Sequence, residues 1–265
     1  MTTLYDVKVF FSGNVIEIYK YSETRAIGYE RAEKTVKPEG KKLIDFETGE
    51  IITEDGQKLE SRKKSNIRAR NTLRRIISSN FNNNSKFLTL TFRENLQDIE
   101  EANRCFKLFT QNMNRHLKSK DKPKLLYAAV IEYQKRGAIH YHLVCNLKGV
   151  GANTIRDCWK RAVGKYEGNI DIKNIRHVDN VGAYLVKYMT KADADERLIG
   201  KKLYQTSRGL KKPKELGLSL WKEKDKKILD SLLKGKKITY QDMYEDKHTG
   251  GTVNYLEINL SRQGI

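Results

Sequence analysis

Two apolar runs, LLYAAVIEY and AIHYHLVCNL, are separated by only Lys135, Arg136 and Gly137. A three-residue break containing glycine, set between β-branched and aromatic runs, predicts an antiparallel hairpin. If Gln134 pairs with Ala138, then Glu132 faces His140 and Val130 faces His142. Opposed residues in such a pair hold their Cβ atoms about 4.5–5.5 Å apart on one side of the sheet. Two imidazoles and one carboxylate then share a face. A turn one residue longer or shorter would send Glu132 to the other face.

The elements around this hairpin restrict the fold further. Lys86 to Phe92 (KFLTLTF) reads as a strand, and Leu96 to Lys118 repeats apolar residues at helical spacing. After the hairpin, Thr154 to Val163 reads as a helix, NIDIKNIRHV as a strand and Val181 to Lys191 as a helix. The order is βαββαβα, which predicts an α+β fold: a ferredoxin-like or RRM-like central antiparallel sheet with helices packed on it. Upstream, Tyr5 to Tyr21 alternates around Ser12-Gly13-Asn14 as a second hairpin, and residues 22–60 read as a linker or peripheral ribbon. Ser61 to Phe81 reads as a basic helix whose arginines, Arg74 and Arg75 among them, form either a solvated or a phosphate-contacting face. Beyond Lys191 the chain is basic and less regular, with a lysine-rich helix over about Lys222 to Lys234 and a further strand over Thr252 to Leu260.

Charge points to a partner. The chain of 265 residues has 52 Lys plus Arg against 33 Asp plus Glu, a net charge of +19, which suits a polyanion. No run approaches the ~18 apolar residues of a membrane span, and the N-terminus lacks the layout of a signal peptide, so a cytoplasmic protein without membrane contact is expected. Cys105, Cys145 and Cys158 form no CxxC pair and are expected as buried thiols. Trp159 and Trp221 are expected as packing residues.

Glu132, His140 and His142 offer a mixed nitrogen and oxygen donor set that suits Mg²⁺ or Mn²⁺, and zinc accepts the same donors. The histidines are otherwise a structural pair. On the helix GAYLVKYMTK, Tyr184, Lys187, Tyr188 and Lys191 fall within one arc of about 100°, apart from Leu185, Val186 and Met189. Phenols and ammonium groups on one face suit a phosphate, the alternative being tyrosines that merely pack. A phenol is a competent nucleophile toward phosphorus once assisted, since its ordinary pKa is near 10.

Three segments in this order resemble the HUH endonuclease superfamily, specifically rolling-circle replication initiators (Rep proteins) of plasmids and phages. FLTLTF resembles the first motif, HYH at His140 to His142 the second, and YLVKYMTK the third. The resemblance covers roughly Ser61 to Lys214 and divides the chain into an N-terminal hairpin and linker region (1–60), a nicking endonuclease domain (61–214) and a basic helical C-terminal extension (215–265). It implies metal binding by His140, His142 and Glu132. It also implies a tyrosine nucleophile: Tyr184 first, with Lys187 assisting, and Tyr188 either as second nucleophile or as a DNA-stacking residue. Lys191, Arg208, Arg136, Arg74 and Arg75 are the expected DNA contacts.

The expectation is therefore a rolling-circle initiator that nicks and rejoins single-stranded or hairpin origin DNA through a 5′-phosphotyrosine. No GxxxxGK[ST] loop occurs in this sequence, so a host helicase would unwind the DNA and a host DNA polymerase would extend it. Within the superfamily the rivals are a relaxase, which generally places its tyrosine before a three-histidine motif, and a more compact tyrosine transposase. Outside it, the rival is a non-catalytic RRM-like binding module, which gives no reason for Glu132, His140 and His142 to converge.

Overall fold

The computed structural model describes residues 3–27, 43–44, 51–52, 54–193, 196–198, 201–246 and 249–263; the side chains of 43–44, 51–52, 54–61, 63, 190–193 and 196 lie outside that description. In chain order the elements are β1 (Thr3–Ser12), β2 (Val15–Ile27), β3 (Leu43–Ile44), β4 (Ile51–Ile52), α1 (Glu54–Asn80), β5 (Lys86–Phe92), α2 (Ile99–Ser119), β6 (Tyr127–Tyr133), β7 (Ile139–Cys145), α3 (Ala152–Val163), β8 (Gly168–Lys173), α4 (Val181–Asp193), β9 (Tyr204–Thr206), β10 (Lys214–Leu218), α5 (Glu223–Leu233), β11 (Tyr240–Glu245) and β12 (Thr252–Asn259). They form two compact units, Ala69–Lys212 and the combination of Met1–Arg68 with Pro213–Ile265.

The unit Ala69–Lys212 has the expected α+β order. Its five strands run β8-β5-β7-β6-β9, and all neighbours are antiparallel. The four strands β8-β5-β7-β6 are those of a split βαβ arrangement. Helix α2 starts where Asp98 accepts from the Glu100 and Glu101 N–H groups, and it buries Ala102, Cys105, Phe106, Phe109, Met113 and Leu117. Trp159 of α3 meets Phe109 of α2 and Phe92 of β5, so both helices cover one face of the sheet. Helix α4 covers the other face, packing on β6 and β7.

This two-sided cover explains why every residue of β7 is buried. Tyr141 points toward α2, stacking on Phe106 at 4.6 Å and donating its hydroxyl to Asn103 Oδ1 at 2.9 Å. The histidines on either side of it point toward α4.

Strand β8 is shorter than the expected NIDIKNIRHV run. It stops at Lys173 because the Asn174 side chain accepts from the Arg176 N–H and starts a turn. Strand β9 arises within the stretch expected to be irregular. Three residues are too few to show alternation, and pairing to β6 is what makes them a strand.

In the other unit the sheet order is β10-β1-β2-β12-β11. The N-terminal hairpin has the expected turn, with Ser12 opposite Val15, and the expected strand near Thr252 lies beside β2. The two ends of the chain, expected as separate regions, thus share one sheet. The expected helix is α5, whose Leu229 is buried with Val7, Val9, Ile18, Leu218 and Ile258. Trp221 is not a packing residue: it is 85% exposed. Among the described residues no helix is long and apolar enough to cross a membrane.

Candidate active site

The hairpin turn sets the site. Gln134 N–H donates to Ala138 O at 2.9 Å and Gly137 N–H to Gln134 O at 2.8 Å, while Gly137 takes φ +92°, a value that favours glycine. The resulting register opposes Glu132 to His140 and Val130 to His142, as the turn length predicts. On the other side of β7, Thr89 of β5 opposes His142 and Thr91 opposes His140. On β8, Asp171 opposes Thr89.

His142 is held from both ring nitrogens. Nδ1 meets Thr89 Oγ1 at 3.2 Å and Nε2 meets Glu132 Oε2 at 2.5 Å. His140 differs: its Nε2 is buried and has no hydrogen-bond partner among the described residues. Burial first, then the neighbouring His142, pull its pKa down to about 4 against the opposing pull of Glu132. At neutral pH His140 is uncharged and presents a lone pair.

Asn180 caps α4 by accepting from the Ala183 N–H at 2.9 Å, and the helix brings both tyrosines over this face. The Tyr188 ring stacks on His142, with centroids 3.8 Å apart and planes at 18°. Tyr184 meets Phe87 edge-on at 5.1 Å, and Lys187 Nζ lies 3.7 Å from the Tyr184 ring centroid. The two phenols therefore do not share one environment. Tyr184 is half-buried, whereas Tyr188 is buried. Burial, followed by Tyr184 and the more distant Glu132 and Asp171, pushes the Tyr188 hydroxyl up to about 12. The helix reading set both tyrosines off the apolar stripe; Tyr188 instead joins the core because its ring area is covered by His142 and Phe87.

The expected DNA contacts are dispersed. Arg136 is partly committed to the fold, donating Nη2 to Phe92 O at 2.6 Å, Nη1 to Arg93 O at 2.8 Å and Nε to Gln134 Oε1 at 3.0 Å. Arg74 and Arg75 are half-buried on α1, and Arg208 is exposed after β9. The Lys191 side chain lies outside the described residues. Sequence reasoning passed over Thr89, Phe87 and Asp171. The alternation within FLTLTF and NIDIK puts them on definite faces, but only the pairing of β5 with β7 and β8 makes that face the histidine face.

The donor chemistry fits a divalent cation: a carboxylate and a neutral imidazole with an unused nitrogen lie on directly opposed residues, next to a second imidazole. Among the described residues no three such side chains are already gathered into a cage, since Glu132 Oε2 lies against His142 Nε2.

The segment holding this site, β5 to α4, is also the segment with recognisable relatives. Residues 85–193 match the family of the replication-associated protein ORF2. Over 48% of its length the chain is 30% identical to the Phasyl DNA replicon protein arp of Escherichia coli, covering 51% of that protein. The chain thus spans about half the length of the curated relative it matches. No solved structure matches it significantly.

Proposed function

We propose that this protein initiates DNA replication by nicking one strand at an origin and later rejoining it. The similarity to a replication-associated family and to a replicon protein supports the role in replication initiation. The observation that carries the chemistry is the meeting, on one face, of the Glu132, His140 and His142 donors with Tyr184, Tyr188 and Lys187. A binding module has no use for a buried, neutral imidazole nitrogen without a hydrogen-bond partner.

A divalent cation, Mg²⁺ or Mn²⁺, held by Glu132, His140 and His142 would polarise the scissile phosphate and stabilise charge on its non-bridging oxygens. Tyr184 is the first nucleophile: it is the less buried phenol and has Lys187 against its ring, where an ammonium group favours the phenolate. Its oxygen forms a bond to phosphorus as the bond to the 3′-oxygen breaks. The phenol proton is released, the 3′-oxygen takes up a proton, and the products are a 5′-phosphotyrosyl strand and a free 3′-hydroxyl. A host polymerase extends that end while a host helicase unwinds the template. Joining follows by the reverse reaction at Tyr184 or by transfer to Tyr188. Because the phosphotyrosine preserves the phosphodiester linkage, joining needs no ATP.

The test is incubation of the protein with end-labelled single-stranded origin DNA in Mn²⁺ or in EDTA, followed by a denaturing gel and peptide mapping. A Mn²⁺-dependent adduct on the peptide containing Tyr184 is expected. Binding that survives EDTA with no adduct in either condition would leave a binding module.

A further inference from the structure

Where β5 and β8 end beside the hairpin tip, an open groove of about 940 Å³ extends from His140 to α3. Its size is that of a ligand site, for which about 300–1,000 Å³ is usual. Arg93, Arg136, Arg156 and Lys160 line it, against one carboxylate, Glu167. Two of these cations are largely engaged: Arg93 pairs with Glu167 at 2.5 Å, and Arg136 is tied to the carbonyls of Phe92 and Arg93. The other two remain available. Arg156 donates one Nη1 contact to Asn153 Oδ1 at 2.7 Å, and Lys160 is exposed with no hydrogen bond or ion pair among the described residues.

We propose that this groove carries one strand of nucleic acid on one side of the scissile phosphate, with Arg156 and Lys160 on its phosphates. The assignment rests on the nicking reading. An arginine fork and a lysine on one helix suit successive anionic groups, the arginine taking two oxygens and the lysine acting as a point charge. The exposed Asn169 on the same wall has both a donor and an acceptor for a base edge. His140 lies within the groove and is only 7% exposed, so a chain reaching it must be a single strand with its phosphates turned inward; a duplex keeps its phosphates on its outer surface.

The experiment is fluorescence anisotropy of labelled oligothymidylate over a range of salt, in EDTA so that metal plays no part. The wild type is compared with Arg156→Ala/Lys160→Ala and with Arg156→Lys. The double variant is expected to bind roughly tenfold more weakly, with a salt dependence shallower by about 1.4, since each lost single-strand phosphate contact removes about 0.7. Arg156→Lys keeps the charge and should keep the slope. Unchanged affinity and slope in the double variant would overturn the assignment. So would an equal loss of duplex binding, or competition by thymidine monophosphate at the concentration of the oligomer. Adduct assays on the same proteins separate the two readings. Weakened strand binding with no wild-type adduct removes the nicking chemistry and leaves a strand-binding groove. A wild-type adduct with undiminished binding by the double variant removes the groove and leaves the chemistry.

Discussion

The phenol ring of Tyr188 lies flat on the imidazole of His142, 3.8 Å between centroids, while His142 is gripped at Nδ1 by Thr89 and at Nε2 by Glu132. One histidine is thus fixed by a ring, a hydroxyl and a carboxylate from three different elements, whereas Tyr184 stays half-buried beside Lys187. This asymmetry sorts the tyrosines. Tyr188→Phe keeps the stacked ring and should still form the Mn²⁺-dependent adduct, at position 184. Tyr184→Phe should bind DNA but fall to background in adduct, and a full adduct in that variant would transfer the nucleophile to Tyr188. Tyr188→Ala removes the ring from the core and should cost about 3 kcal/mol in denaturant unfolding.

Thr89 governs His142 without touching the other ligands. With Nδ1–H donated to the hydroxyl, Nε2 carries the lone pair that a cation needs. Partners of this kind are typically worth about 10–100-fold in metal affinity. Thr89→Val should therefore weaken Mn²⁺ binding by that factor, read by electron paramagnetic resonance of free Mn²⁺. Thr89→Ser should restore it, and an unchanged Mn²⁺ affinity in Thr89→Val would remove Thr89 from this role.

Gly182 is where α4 approaches α1 closely. A Cβ there would stand 2.5 Å from the Arg74 carbonyl oxygen, a backbone atom that cannot simply swing aside. In an open helix Gly→Ala stabilises by about 1 kcal/mol; here overpacking should reverse the sign and cost about 1–3 kcal/mol. Because Tyr184 lies two residues further on, Gly182→Ala should also lower adduct yield. A raised melting temperature would show that the helices part freely.

Cys145 is fully buried on β7, and burial pushes its thiol up to about 12 from an ordinary value of 9.0. The unfolded chain loses this proton first, so the contribution to stability is complete below about pH 9 and is lost as pH rises toward 12. At pH 8.5 the native protein should resist iodoacetamide at Cys145 and label there in denaturant, as read by mass spectrometry. Rapid native labelling would mean that β7 opens locally.

Much of this site was legible before any coordinates. The opposition of Glu132 to His140 follows from three turn residues, because chain connectivity through a short turn leaves little choice of register. The helical repeats of α2 and α4 likewise show in the spacing of their apolar residues. Tertiary structure alone decided what crosses long stretches of chain: β5 beside β7, which brings Thr89 to His142; α4 on the histidine face, which buries Tyr188; and β12 beside β2, which joins the two ends of the chain in one sheet. Such pairings are set by which faces the whole chain can bury together, and no local pattern in LTLTF or YLVKYM encodes a partner tens to hundreds of residues away.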